Sequence, residues 1–421
     1  MDSIYCDFQK AFDKCDINMA AHALRRSGIQ GKLGIWILDF MSNRNQYVIA
    51  NNSISRKETV LSGVPQGSIL GPVIFVLAIQ ALAELEVNAQ LELFADGTKA
   101  SFSISNMSDV DKLQEDLVRL NDWTQKYSMY FNSDKFNCIK TGFNEDIKLD
   151  YTYLSPDLDN IIEDKEVVKD LGIYLSNNGS FTFHINQVIK KVKQRCGWIH
   201  RSFNLNTIVF RRFMWRTYVL GIIDYGSQLW CPVDGNLMSR IENLQRIYTI
   251  NTKGLENDDY WTRLRKMKLS SLERRFQRYR IIYIWKVMNG FVSDCGINWI
   301  IHPYKGRLVK IIHPKMNANI KCSSKALSLW RQSLPVNGAS LYNKMPQYIR
   351  DCTDMTIDCF KSRLDKYLET IPDCPVTKGL YPDPINPVNG KNSNCLIDWI
   401  NYINRNKGFY MGNCYDFVNC V

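Results

Sequence analysis

The sequence predicts an α+β domain at the N-terminal end, followed by a mainly helical region. Three observations carry that prediction. Short β-prone runs alternate with helical periodicities over about the first 150 residues. Residues 91–104 give an apolar run, Asp96-Gly97 and an alternating run, a strong hairpin signal. From His184 onward long helical stripes take over. The expected division is 1–150, 151–300 and 301–421, the last partly irregular.

Each element follows from local chemistry. Residues 4–8 are a β-prone run ending near a single carboxylate, Asp7. Asp16 is a good N-cap for a helix that stops at Arg26-Ser27-Gly28. A second apolar helix is expected around 33–41. Residues 47–50 and 57–61 read as two strands joined by Asn51-Asn52-Ser53. Residues 62–72 are dense in Gly and Pro and feed a buried helix over 73–85. Such a loop is either a plain strand-to-helix connection or a phosphate cradle at a helix N-terminus. Leu113, Leu117, Leu120, Trp123 and Tyr127 place one core-facing stripe on a helix over 109–129. A turn over 131–135 and strands over 137–141 and 169–175 complete the first region.

In the helical region, Ile185, Val188, Ile189, Val192, Cys196, Ile199 and Phe203 share a face. Lys190, Lys191, Lys193 and Arg195 lie on the other, with His200 and Arg201. That basic face is either solvated or tracks phosphates. Residues 274–280 form a second basic–aromatic cluster, suited to phosphates with stacked bases or to Arg packed on protein rings. One more helix is expected over 357–368, and 372–394 reads as a loop.

Composition narrows the function. The chain has 421 residues, 53 Lys and Arg against 42 Asp and Glu, and a net charge of +11, which favours a polyanionic partner, nucleic acid first. Thirteen Cys, an odd number without a CxxC pair, exclude a metal finger and a secreted disulfide framework. Reduced intracellular thiols are expected, in the cytoplasm or the nucleus. There is no signal peptide, and the most apolar stretch, 213–230, falls short of the ~20 residues of a membrane span. No membrane partner and no specific protein partner are signalled. The five His show no HExxH spacing.

Asp7 at a strand end, the Gly/Pro loop with Gln66, and Asp96 at a hairpin tip form one constellation. Taken alone, Asp96-Gly97 is a turn pair chosen for geometry. Two carboxylates on neighbouring strands would instead suit Mg²⁺, which takes hard oxygen ligands and fills its shell with substrate phosphates.

Tyr5-Cys6-Asp7-Phe8-Gln9-Lys10-Ala11-Phe12-Asp13-Lys14 resembles motif A of reverse transcriptases from non-LTR (LINE-type, jockey-like) retrotransposons. Residues 62–72 resemble motif B of that family, Phe94-Ala95-Asp96 its motif C, Asn132-Ser133-Asp134-Lys135 its motif D, and 169–175 its primer-grip segment. Residues 272–275 and 360–364 resemble the region downstream of the polymerase, with lower specificity. The resemblance implies a right-hand polymerase palm with a thumb-like helical region. It implies an RNA-directed DNA polymerase acting by two-metal nucleotidyl transfer. The partners would be an RNA template, a DNA primer and deoxynucleoside triphosphates, and the cofactor Mg²⁺, with Mn²⁺ as a substitute. Asp7 and Asp96 would be catalytic metal ligands, with the Phe8 carbonyl beside Asp7. Phe12 would gate against a ribose 2′-hydroxyl. Gln66 and Gly67 would contact nucleotide and template. Lys135 would be a catalytic proton donor near the triphosphate, and Leu171-Gly172 would lie under the primer end.

Two departures accompany the matches. The family's second motif C carboxylate is Gly97 here, which lowers the charge at the metal site by one. The chain also begins six residues before Asp7, so the fingers are expected to be missing and the first strand to lack packing partners. The expectation is an impaired polymerase. The alternative is a non-enzymatic nucleic-acid-binding remnant that uses the basic helical face.

Overall fold

In the computed structural model the first apolar run is strand β1 (Asp2–Asp7), and it is central, not a bare edge. Residues 1–142, 151–157, 160–232, 234–293, 300–304, 308–312, 324–350, 355–373, 396 and 400 are described. The chain divides into two units, Met1–Asp170 with Leu175–Gly179, and Leu171–Tyr174 with Ser180–Val421.

In the first unit, α1 (Ile17–Arg26) and α2 (Gly31–Met41) follow β1. Helix α3 (Leu70–Ala83) leads to the hairpin β2 (Gln90–Phe94) and β3 (Gly97–Phe102). Helix α4 (Met107–Lys126), β4 (Asn137–Lys140) and β5 (Glu163–Asp164) complete the unit. The sheet order is β2-β3-β1-β4-β5, so mixed helices and strands make the α+β architecture that the sequence predicts. Strand alternation sets its two faces. Ile4, Cys6 and Phe8 join Ala100, Cys138, the Leu113-Leu117-Leu120 stripe of α4 and Ile74, Phe75 and Ala78 of α3 in one core. The sequence expectation that β1 lacks packing partners is therefore wrong. It pairs with β3 on one side and β4 on the other.

Three local expectations need correction. The 47–50 and 57–61 runs do not pair directly. Arg44–Gln46 pairs with Glu58–Val60, and Ile49–Ala50 pairs with Ser53–Ile54 across Asn51 and Asn52. Both asparagines have positive φ, +50° and +59°, which a two-residue hairpin turn needs and Asn tolerates. Helix α3 is buried on one face only, since Val73 and Val76 are exposed. Residues 169–175 are not one strand but a hairpin, Val167–Asp170 and Ile173–Ser176, turning at Leu171-Gly172, both at positive φ.

The second unit is largely helical among its described residues. Its helices include α5 (Thr182–Ser202), α6 (Ile208–Met214), α7 (Gly235–Ile250), α8 (Tyr260–Lys266), α9 (Leu272–Met288) and α10 (Ile357–Glu369). The predicted stripe of α5 is buried at Ile185, Val188, Ile189, Val192 and Ile199, against Trp215, Trp230, Ile241 and Phe276. A second core stacks Trp285 of α9 on Phe360 of α10, centroids 4.3 Å apart.

The 274–280 cluster is not an open binding surface. Arg274 and Arg280 are buried and donate to main-chain carbonyls, including those of Leu368 and Gln228. Arg275 forks onto Asp224 at 2.6 and 2.5 Å, and Arg278 onto Asp365. These arginines tie helices together. A guanidinium fork matched to a carboxylate has few donors left for a phosphate. Residues 374–394 of the expected loop lie outside the described residues. No described helix is long and apolar enough to cross a membrane.

Candidate active site

Three backbone segments are stitched together where β1 ends. The Phe8 amide donates to the Asp96 carbonyl at 3.2 Å, Gln9 N–H to Tyr130 O at 2.9 Å, and Asn132 N–H to Asp7 O at 2.8 Å. The sequence pattern sees three separate motifs. The sheet makes them one site, because β3 and the segment after α4 flank the end of β1.

The turn itself differs from the expected Asp96-Gly97. Phe94 pairs with Gly97, so the two-residue loop is Ala95-Asp96. Ala95, not glycine, takes the left-handed conformation, at φ +52°. Gly97 is the first residue of β3 and stands opposite Asp7 in the β1–β3 ladder. Tertiary pairing with β1 sets this register and overrides the local Asp-Gly preference. An added Cβ at Gly97 meets only the Phe94 carbonyl oxygen, at 3.4 Å.

Lys135 is held by a short 3₁₀ turn, Ser133–Lys135, whose first amides are capped by Asn132. Its ammonium forms an ion pair with the Asp7 carboxylate. The Asp7 hydrogen bond and charge hold the Lys135 pKa above its ordinary value, and the Asp96 charge adds to this. Asp7 and Lys135 are thus paired, with the Asp96 charge close enough to act on Lys135. Phe8 contributes only main chain here. Its ring is in the core, stacked on Phe131 at 4.5 Å.

Phe12, Gln66 and Gly67 form a neighbouring cluster. The Phe12 ring stacks on Phe75 at 4.7 Å. The exposed Gln66 donates to an Asp13 carboxylate oxygen at 2.7 Å, so Asp13 is engaged by the loop. Gly63 lies against the 12–13 backbone, where an added Cβ would sit 2.8 Å from Asp13. At Gly71 a Cβ would sit 2.6 Å from the Pro65 carbonyl oxygen. These glycines serve close backbone packing of the loop on the segment after β1. Gly67 is exposed, at φ +79°, and an added Cβ there would meet nothing within 4 Å.

Several residues of the same strands escaped the sequence reading. Tyr5 and Lys99 sit opposite each other on the Asp7 face of the sheet. Tyr5 Oη donates to Asp170 at 3.2 Å, and Lys99 pairs with Glu92 and, at 3.5 Å, with Asp170. Burial first, then the Asp170 charge, pushes the Tyr5 phenol up. Strand alternation is the one signal that could have put them beside Asp7. Arg44 also escaped notice. It donates to the carbonyls of Met41, Ser62 and Gly63 and clamps the glycine loop.

Leu171 and Gly172 belong to the second unit, where Tyr225 Oη donates to the Leu171 carbonyl at 2.5 Å. Lys190, Lys191, Lys193 and Arg195 are all exposed on α5. Among the described residues, no group of three or more His, Cys, Asp and Glu side chains gathers as a metal site. Asp7 and Asp96 are two carboxylates at the end of β1 and the turn beside it.

Residues 4–174 match the reverse transcriptase (RNA-dependent DNA polymerase) family. The chain is similar to the probable RNA-directed DNA polymerase from transposon X-element of Drosophila melanogaster, 21% identical over 254 residues, 58% of this chain and 27% of that protein. It is also similar to the RNA-directed DNA polymerase from mobile element jockey of Drosophila melanogaster, 22% identical over 256 residues, 57% of this chain and 27% of that protein. It therefore spans about a quarter of the length of these relatives. Apo telomerase from Candida tropicalis is a structural neighbour at 9% identity, covering 70% of this chain and 52% of its own, with a TM-score of 0.36.

Proposed function

We propose that residues 4–174, which match the reverse transcriptase family, carry the polymerase site of a jockey-like non-LTR retrotransposon RNA-directed DNA polymerase. Its substrates would be an RNA template, a DNA primer and deoxynucleoside triphosphates. The sheet and its helices serve as the palm, within 1–150. The helices of 151–300 serve as a thumb-like region, with 301–421 following it. The observation that carries the reading is the convergence of Asp7, Asp96 and Lys135 at the end of β1.

The residues present fit a divalent cation. Two carboxylates already face one positive charge, the Lys135 ammonium, and Mg²⁺ commonly uses only one or two carboxylates with substrate phosphates. A bound Mg²⁺ or Mn²⁺ would supply charge neutralisation for the attacking hydroxyl and the departing pyrophosphate. Asp7 and Asp96 hold that charge in place. Lys135 leaves Asp7 when the triphosphate arrives and donates a proton to pyrophosphate. Phe12 closes the sugar side, and Gln66 and Gly67 border nucleotide and template. Leu171 and Gly172 support the primer. Gly97 supplies no carboxylate opposite Asp7, so catalysis is weak.

Primer extension on an RNA template with Mg²⁺ or Mn²⁺ tests this. Extension is expected near background, and Asp7→Ala removes what remains. Robust extension that survives Asp7→Ala overturns the proposal. The exposed lysines of α5 favour a second reading, nucleic-acid binding without catalysis. It predicts salt-dependent RNA or DNA binding that ignores Asp7→Ala.

A further inference from the structure

We propose that the C-terminal half of α5 and the segment that follows it form a stacking platform for single-stranded RNA. From Leu171 to Ile223 the sequence contains no Asp or Glu, and eight Lys or Arg. Elsewhere in the same unit arginines are neutralised by carboxylates, as Arg275 by Asp224 and Arg278 by Asp365. Here Lys190, Lys191, Lys193, Arg195 and Arg201 are exposed without any acidic neighbour in their own stretch of sequence. A local field of one sign on an open helix face is the footprint of a polyanion.

The aromatic side chains within that field are the second observation. Trp198, Phe203 and Tyr218 are 39, 38 and 40% exposed, although each touches another ring. Trp198 meets Phe203 at 5.6 Å and Tyr218 at 5.7 Å, so the three form one continuous aromatic surface. The Arg195 guanidinium lies over the Trp198 ring at 5.6 Å. Phe203 also shows why the surface is open. It continues the apolar periodicity of α5 but lies one residue beyond the end of the helix, where the chain turns extended. The ring is therefore carried out of the buried stripe and rests edge-on against Trp198.

Rings that are fixed by neighbours, partly exposed and flanked by cations suit unpaired bases. Every base has a π-face, while the backbone phosphates meet the lysines and arginines. A duplex hides its base faces and would leave the rings unused. A protein partner would bury the rings but would have to be acidic along the whole helix face. The choice of RNA over other single strands rests on the reverse-transcription reading, in which the unpaired strand is the template.

Binding of a fluorescein-labelled oligouridylate to the full chain, followed by anisotropy, tests the platform. Trp198→Ala is expected to weaken binding roughly tenfold, with Trp198→Phe close to the parent, because either ring stacks. Neutralising Lys190, Lys191 and Arg195 to Gln should flatten the slope of log K against log salt by about 2, since each single-strand phosphate contact counts for roughly 0.7. Where Trp198→Ala lowers the melting temperature, Tyr218→Ala gives the same readout with less packing lost. The platform is overturned if ring removal leaves affinity unchanged, if the Phe variant is as weak as the Ala variant, or if duplex RNA competes as well as the single strand. Tighter binding of oligothymidylate than of oligouridylate overturns the choice of RNA. Repeating the titration in Asp7→Ala separates this idea from the polymerase reading. Robust extension that survives Asp7→Ala, with ring-dependent RNA binding, sinks only the polymerase reading, and Asp7-dependent extension with ring-independent binding sinks only the platform.

Discussion

Gly97→Asp is expected to tighten Mn²⁺ binding about tenfold, in line with the ~10–100-fold effects of altering supporting groups at metal sites. The position can take the change. Gly97 lies in extended strand, and an added Cβ meets a single carbonyl oxygen at 3.4 Å. It stands directly opposite Asp7 in an antiparallel ladder, so a carboxylate there projects from the same face about 5 Å away at Cβ. Two like charges directly opposite each other destabilise a strand pair, and Lys135 neutralises only one of them. The variant should therefore melt at a lower temperature than the parent without metal and recover more than the parent when Mn²⁺ is added. Electron paramagnetic resonance of free Mn²⁺ reads the affinity, and a thermal melt with and without Mn²⁺ reads the sign reversal. Asp7→Ala placed on top of Gly97→Asp should return the affinity to the parental level or below. Lys135→Ala approaches the same site from another side. It removes the ammonium that competes for Asp7 and should tighten Mn²⁺ binding without nucleotide. If neither substitution moves Mn²⁺ affinity, Asp7 does not face a cation site.

Much of this site was legible because motif chemistry and strand pattern agreed. Asp7 ends a strand, Lys135 lies in a short turn, and the glycine loop feeds a helix, each as its local sequence implies. What was not legible depends on partners distant in sequence. Asp-Gly is a strong turn signal, yet the turn moved one residue back because β3 is shared by β1 and β2. The same sharing explains why Ala95 accepts a left-handed backbone that costs an L-residue roughly 1–2 kcal/mol. In the helical region the apolar stripe of α5 was readable from its period alone. The fate of the 274–280 arginines was not, since their partners Asp224 and Asp365 lie 51 residues back and 87 residues on along the chain. Basic–aromatic composition is the same whether an arginine ties helices together or waits for a phosphate. Only burial separates Arg274 from Arg195.

Glu242→Gln is expected to stabilise the second unit increasingly as pH rises from 4.5 to 7, by about 3 kcal/mol at the upper end. Glu242 is buried on α7 at the N-terminus of α9. Its carboxyl accepts from Leu272 N–H at 2.9 Å, from Glu273 N–H at 3.2 Å and from Tyr260 Oη. Burial pushes its pKa up to about 7 from 4.5, and the Tyr260 hydrogen bond only partly opposes this. A raised pKa means that the folded state binds the proton more tightly. Its contribution is complete below 4.5 and is lost as pH climbs through 7. A glutamine keeps one acceptor for the helix amides and carries no charge at any pH, so that loss disappears. His184 runs the other way. Burial, helped by the Lys191 charge, lowers its pKa to about 4 from 6.5. Its contribution is complete above 6.5 and fades as pH falls through 4. Between 4.5 and 6.5 the two slopes oppose each other in the parent. Removing Glu242 should therefore expose a stability that rises steadily with pH, and His184→Gln on the same background should flatten it again. Urea midpoints measured across that range, variant against parent, decide the matter. Parallel profiles would mean that Glu242 is already ionised in the folded chain, with its charge carried by the amides at the start of α9.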